Sequence, residues 1–175
     1  ANWTFKGVNF GNTANGKYGV LVEGGNRNML FQDCGIYAAI NNAKDNYGVF
    51  CNNTSVENVR FIHNDIKGGN YNVYMNYMAG SAANMTSASL YVDSNNMSEA
   101  YSGGLSSNNY SHYPSISYNT ITNRSNSSTF YGIYSSFYAW YDRIEGNRMN
   151  LTAIGNTYGF YIYNADKTKT AVDAQ

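Results

Sequence analysis

Asp93 and Glu145 are the acidic residues of this sequence whose placement best fits a catalytic pair. Each stands two residues before an asparagine in a recurring pattern, VDSNNM at 92–97 and IEGNRM at 144–149. If these segments lie two strands apart in one parallel sheet, their backbones are about 9.6 Å apart, which is twice the strand spacing. Carboxylates about 6.5 to 9.5 Å apart suit an inverting glycosidase, where one acts as acid and the other activates water. The plainer interpretation is two solvated charges with Arg143 beside them.

A second candidate is a set of mostly aromatic residues, each of which directly follows a Tyr-Gly-apolar pattern or its variant. Its members are Leu21, Phe50, Tyr74, Ser106, Tyr134 and Tyr161. Strand alternation directs these side chains away from the core. Exposed aromatic rings can stack on sugars, or can be buried by another chain or by a loop. The four aromatic members are therefore the candidate carbohydrate site, with burial against protein as the alternative.

Asp33, His63 and Ser94 stand one residue before the asparagine position in successive copies of the first pattern. A hydrolytic triad needs these three residue types in hydrogen-bond contact, together with an oxyanion hole. No nucleophile-elbow sequence surrounds Ser94, so surface hydrogen bonding is the preferred interpretation. The two histidines, His63 and His112, lack companions at metal-ligand spacing, and neither a metal nor another cofactor is expected.

Charge and composition argue against two classes of partner. The 175 residues carry 11 basic and 11 acidic side chains, which removes the broad attraction that nucleic acid or an anionic membrane requires. No stretch approaches the roughly 18 apolar residues of a transmembrane helix. Asparagine, serine, glycine and tyrosine dominate, and they favour β-structure and tight turns. Cys34 and Cys51 are too few for a disulfide framework and are expected to be buried free thiols.

Two short patterns alternate along the chain and fix the spacing of all these candidates. The first is apolar-x-x-Asn-x-apolar, whose asparagine position is occupied by Val8, Cys34, Asn64, Asn95, Asn119 and Asn147. The second is Tyr-Gly-apolar, whose apolar residue is Val20, Val49, Val73, Leu105, Ile133 or Phe160. Both markers advance together through six cycles, in steps of 24 to 32 residues. A helical repeat or a sandwich of hairpins gives no reason for this shared phase.

Stacked coils do explain the shared phase. In a parallel β-solenoid each cycle is one turn, and like positions lie above one another about 4.8 Å apart. An asparagine column can then form amide-to-amide hydrogen bonds along the axis. Because connections between parallel strands are right-handed by strong preference, the sequence predicts an all-β, single-stranded right-handed parallel β-helix of about six coils. It forms one domain over residues 1–175, with coils over about 3–164 and a C-terminal tail over 165–175.

The tyrosines of the second pattern form one more predicted column. Simple strand alternation places them on the inner face, where stacked rings would fill the coil. They are Tyr18, Tyr47, Tyr71, Tyr131 and Tyr158.

The asparagine turn followed by a Gly-Val or Gly-Ile strand, in cycles of this length, resembles the right-handed parallel β-helix of the pectate-lyase-like superfamily. Enzymes of that family often hold calcium with several aspartates and use a lysine or arginine to abstract a proton from an acidic sugar. Here the aspartates are scattered, and the Asn-Thr-Asp and Gly-His-Gly signatures of the family's hydrolases are absent. The resemblance therefore implies the fold and leaves catalysis open.

These patterns lead to one expected function and two alternatives. The expected function is a secreted or surface-exposed β-helix module, on a cell or virion. Its strip of aromatic residues would bind a polysaccharide or other chains. The first alternative is a polysaccharide hydrolase or lyase of the same fold, and the second is a structural spacer. A homo-oligomer or an adjacent domain is expected to cover the open strand edges at the ends of the solenoid.

Overall fold

The computed structural model describes residues 2–52, 56–76, 88–124, 126–136, 138–152 and 154–163, so the expected C-terminal tail lies outside the described residues. These ranges hold twenty β-strands in three six-stranded sheets and one pair. Sheet A consists of β1 (Trp3–Lys6), β4 (Arg27–Gln32), β7 (Glu57–Ile62), β10 (Leu90–Asp93), β14 (Ser115–Ser117) and β18 (Ile144–Glu145). Sheet B consists of β2 (Asn9–Gly11), β5 (Gly35–Tyr37), β8 (Asp65–Lys67), β11 (Asn96–Ala100), β15 (Thr120–Asn123) and β19 (Arg148–Asn150).

Sheet C follows sheet B along each coil, and sheet D follows sheet C in two of the coils. Sheet C consists of β3 (Tyr18–Glu23), β6 (Tyr47–Asn52), β9 (Tyr71–Asn76), β12 (Gly103–Asn108), β16 (Thr129–Ser136) and β20 (Asn156–Tyr163). The short sheet D pairs β13 (Ser111–Tyr113) with β17 (Ala139–Tyr141). Each coil gives one strand to sheets A, B and C in turn, and like strands pair in parallel. The predicted parallel β-solenoid is confirmed, with about five full turns.

A left-handed residue turns the chain from sheet A into sheet B in every coil. These residues have φ between 54° and 65° and are Gly7, Asp33, His63, Ser94, Tyr118 and Gly146. The column considered for a hydrolytic triad is therefore a column of turn residues. The turn brings Asp33 and His63 within 3.9 Å of each other, while both side chains remain largely exposed.

The asparagine that follows each turn is held in the predicted ladder. Asn64 donates its side-chain amide to Asn95 Oδ1 at 3.0 Å, Asn95 to Asn119 at 3.1 Å, and Asn119 to Asn147 at 2.9 Å. Each amide also donates to a backbone carbonyl, as Asn95 does to Phe61 O at 2.9 Å. Cys34 ends the ladder, because its backbone N–H donates to Asn64 Oδ1 at 2.9 Å.

Apolar columns from the three large sheets fill the interior. In sheet A, the ring of Phe31 stacks on Phe5 at 4.9 Å and on Phe61 at 4.7 Å. Sheet C contributes Val20, Val49, Val73, Leu105 and Ile133, all buried. Cys34 and Cys51 are buried free thiols, as predicted. Within the described ranges, the structure contains no helix that is long and apolar enough to cross a membrane.

The glycine of the second pattern allows sheets C and B to pack closely against each other. A Cβ on Gly48 would lie 2.6 Å from both Ile66 Cγ2 and the carbonyl oxygen of Asn72. Gly48 and Val49 therefore both face inward, so simple alternation is broken and Tyr47 turns outward. The predicted interior position of the tyrosine column is wrong: these tyrosines are half-buried, and the buried core contains none of them.

Candidate functional site

The predicted aromatic strip forms one continuous column on the outer side of sheet C. Backbone pairing aligns Leu21 with Phe50, Phe50 with Tyr74, and then continues in register through Ser106 to the last two coils. There Tyr134 pairs with Tyr161. All four residues chosen as the carbohydrate site therefore share one column, interrupted in the fourth coil by Ser106.

The tyrosine column lies beside this strip on the same outer face. Tyr47 contacts Phe50 with ring centroids 4.9 Å apart, and Tyr131 contacts Tyr134 at 5.1 Å. Within a coil the two rings are inclined to each other, by 37° in the first of these pairs and 63° in the second. We call this two-column surface the aromatic face.

Rings in successive coils stack on one another and cover much of their flat faces. Tyr134 and Tyr161 are 5.6 Å apart at 6°, and Tyr131 and Tyr158 are 5.3 Å apart at 11°. Such offset stacking is the favoured arrangement of neighbouring aromatic rings. The aromatic face thus presents ring edges and phenolic hydroxyls to solvent. A sugar would meet these groups, and not the open platforms that the sequence suggested.

Small residues in the fourth coil let the third-coil tyrosines lean across it. A Cβ on Gly103 would lie 2.5 Å from Tyr71 Cε1, so the Tyr71 ring occupies the space above this glycine. Ser106 is outward by register but only 1% exposed. Burial raises the pKa of Tyr71, and the nearby phenols of Tyr134 and Tyr131 add to the rise. The aromatic face therefore continues across the gap in its sequence pattern.

A polar column borders the strip, two residues further along each strand. Its members are Glu23, Asn52, Asn76, Asn108, Ser136 and Tyr163. Asn76 donates to Asn52 Oδ1 at 3.2 Å, Asn108 donates to Tyr74 Oη at 2.6 Å, and Ser136 donates to Asn108 Oδ1. Sequence reasoning missed this amide column, although its position follows from the strip by the two-residue strand period.

Asp93 and Glu145 lie in one outward column of sheet A, with Ser117 paired between them. Asp93 Oδ1 accepts hydrogen bonds from Ser115 Oγ at 2.6 Å and from the Ser117 backbone N–H at 3.0 Å. Arg143 donates to Ser115 Oγ at 3.0 Å and pairs with Glu145 at 3.2 Å. The structure therefore joins the proposed pair and Arg143 in one network. Within this network both carboxylates already have protein partners.

The buried His112 forms a pair with the exposed Asp142, which the sequence did not indicate. Its Nε2 lies 3.0 Å from Asp142 Oδ2, its Nδ1 lies 2.7 Å from the Ala88 carbonyl oxygen, and its ring stacks on Trp140 at 4.9 Å. Because both ring nitrogens face acceptor oxygens, neither is directed at a substrate or a metal. The contact of His112 with the Ala88 carbonyl oxygen connects sheet D to the segment that precedes β10. Among the described residues, no group of three or more histidine, cysteine or acidic side chains could hold a metal ion.

Two shallow clefts in the described part of the chain lie away from these sites. One, of about 370 Å³, lies over the outer side of sheet A between Trp3 and Arg60, and the other, of about 540 Å³, lies over Thr120 and Arg148. Neither cleft is lined by residues of the aromatic face or of the Asp93 network. Comparisons with protein families, with curated proteins and with solved structures gave no significant match to this chain.

Proposed function

We propose that the chain is a surface-exposed β-helix module that binds polysaccharide through its aromatic face, and that it is a distant member of the pectate-lyase-like superfamily. One observation supports the binding function above all others. Two aromatic columns and an amide column run side by side on sheet C. Aromatic edges, phenolic hydroxyls and planar amides are the groups that bind the hydroxyl-rich, partly apolar surface of a sugar chain.

The distribution of ion pairs agrees with this choice of face. Lys6 pairs with Asp33 at 3.7 Å and Arg143 pairs with Glu145 at 3.2 Å, both on or beside sheet A. Self-paired charges suit a solvated surface, whereas tyrosine-rich surfaces with little charge are typical of recognition sites. This distribution supports sheet C as the recognition side. A polysaccharide ligand would in turn support an extracellular, cell-surface or virion-surface location.

Affinity electrophoresis in gels containing soluble polysaccharides tests this function. The test variant is Tyr134→Ala with Tyr161→Ala, which removes the strip from the last two coils. The matched control is Gln32→Ala, on the outer side of sheet A. We expect the wild type and the control to be retarded and the double variant to migrate freely. Equal retardation of all three folded proteins would rule out the last two coils of the strip as the binding site.

The Asp93 network supports polysaccharide cleavage as a second candidate function. Two carboxylates two coils apart, with an arginine between them, could act on a chain lying along sheet A. A reducing-end assay detects hydrolysis, and ultraviolet absorbance of a new double bond detects elimination. If activity is present, Asp93→Asn and Glu145→Gln should each reduce it by about 100-fold or more. Activity that survives both substitutions would exclude this pair.

A further inference from the structure

The charges of the last four coils are confined to the parts of each coil outside sheet C. In the sequence, residues 68–92, 100–123, 125–141 and 149–165 contain no aspartate, glutamate, lysine or arginine. Each of these runs contains one strand of sheet C, namely β9, β12, β16 or β20. Arg124, Glu145 and Arg148 fall between the runs. The aromatic face and its amide column are therefore uncharged over four successive coils.

Among the described residues, the charged members and neighbours of this surface that the structure shows lie at its first two coils, where Asp45 in the second coil acts on Tyr47. Glu23 begins the amide column, and the Lys17 ammonium lies 5.4 Å from the Tyr18 ring centroid. Neither can neutralise an acidic group placed over Tyr74, Tyr134 or Tyr161. A carboxylate or sulfate brought onto this face would lose water without gaining a cation, which is costly.

The polar groups that remain on the face are hydroxyls and amides. Asn108 links two columns by donating to Tyr74 Oη at 2.6 Å and accepting from Ser136 Oγ. An amide carries two N–H donors, so Asn108 retains one that can serve a ligand. These groups can donate and accept hydrogen bonds with neutral hydroxyls.

Building on the proposed function, we propose that the ligand is a neutral polysaccharide and that its binding site is the uncharged section formed by β9, β12, β16 and β20. Recognition depends on hydrogen bonds to hydroxyl groups, with Asn108 at the centre. Acidic polysaccharides are excluded by desolvation of their charges. This assigns a substrate class opposite to the acidic sugars on which lyases of the resembled family often act.

Titration calorimetry with a neutral β-glucan and with polygalacturonate, at low and high salt, tests the ligand class. We expect binding of the glucan alone, with a change smaller than about twofold between the two salt concentrations, because screening acts on charges. Asn108→Ala should weaken glucan binding by up to about tenfold, the effect of one hydrogen bond. Gln32→Ala, on the outer side of sheet A and away from this face, is the control and should bind normally.

Three other results would overturn the proposal in distinguishable ways. Preference for polygalacturonate with strong salt dependence would reject the neutral ligand and keep polysaccharide binding. Glucan binding that Asn108→Ala leaves unchanged would reject the proposed site. No binding of either polymer, or of a panel of other neutral and acidic glycans, would reject the proposed function itself.

Discussion

At the scale of single residues, asparagine decides where the coil can turn. Asn64, Asn95 and Asn119 each fill a buried position beside a left-handed residue and use the side-chain amide both along the axis and toward the backbone. Leucine or valine could fill the volume but would leave these backbone groups without partners. The spacing of asparagines in the sequence was therefore a reliable signal of the fold.

Asn95→Ala should lower the free energy of unfolding by about 2 to 5 kcal/mol. The reason is that the backbone N–H of Asn64 and one N–H of its side-chain amide would lose their shared acceptor, Asn95 Oδ1. These hydrogen bonds to Asn95 Oδ1 are 2.9 Å long from the Asn64 backbone nitrogen and 3.0 Å long from its side-chain nitrogen. Asn52→Ala is the control, since its amide is partly exposed, and should cost no more than about 1 kcal/mol. Urea unfolding measures both. If both variants lose the same free energy of unfolding, the ladder contributes no more to stability than a partly exposed amide does.

The thiols give a second prediction at the residue scale. Burial raises the pKa of Cys51, and the thiolate is the reactive form. We expect neither Cys51 nor the buried Cys34 to react with a thiol reagent in the native protein, and both to react after unfolding in urea. Rapid labelling of the native protein at mildly alkaline pH would contradict the buried positions.

At the scale of strands, glycine determines which residues face the core. The sequence predicted the outward position of the strip correctly, because each strip residue follows a core residue by one, as Phe50 follows Val49. It failed for Tyr47 because Gly48 adds a second inward residue, a contact that depends on the neighbouring sheet. The His112 pair with Asp142 could not be predicted either, since it depends on the path of sheet D.

Two glycines at equivalent positions test this contact. Gly48→Ala should destabilise the protein by about 1 to 3 kcal/mol, because the new methyl group would overlap backbone that cannot easily move. Gly159→Ala is the matched control, since its Cβ would meet only Met149 Sδ, at an ordinary 3.7 Å, and should change stability by no more than about 0.5 kcal/mol. Thermal unfolding compares the two. A tolerated Gly48→Ala would refute the tight corner.

At the scale of the whole molecule, the stacked columns give the protein two different sides. Sheet A carries paired charges, and sheet C carries tyrosine and amide groups. The sequence predicted this arrangement as far as equal spacing allowed, because stacking converts a repeat into columns. The leaning of Tyr71 over Gly103 could not be predicted from the spacing, because it depends on side-chain packing between coils.

The many phenols predict a loss of stability at alkaline pH. Burial raises the pKa of Tyr141 to about 12, and burial together with Tyr74, Asp45 and Tyr18 raises that of Tyr47 to about 12. Because the folded-state pKa values exceed the unfolded ones, the stabilisation is complete below about pH 9 and falls as pH rises toward 12. Unfolding free energies across this range should decrease, and part of the tyrosinate absorbance should appear only with unfolding. Full titration of every tyrosine near pH 10 in the folded protein would contradict this.

The most direct test of recognition by sheet C is a backbone amide NMR titration with a neutral β-glucan. The largest shift changes should occur in β9, β12, β16 and β20, with little change at Asp93, Ser117 and Glu145 on sheet A. If the perturbed amides cluster around the Asp93 network and sheet C remains unchanged, the aromatic face is not the binding surface.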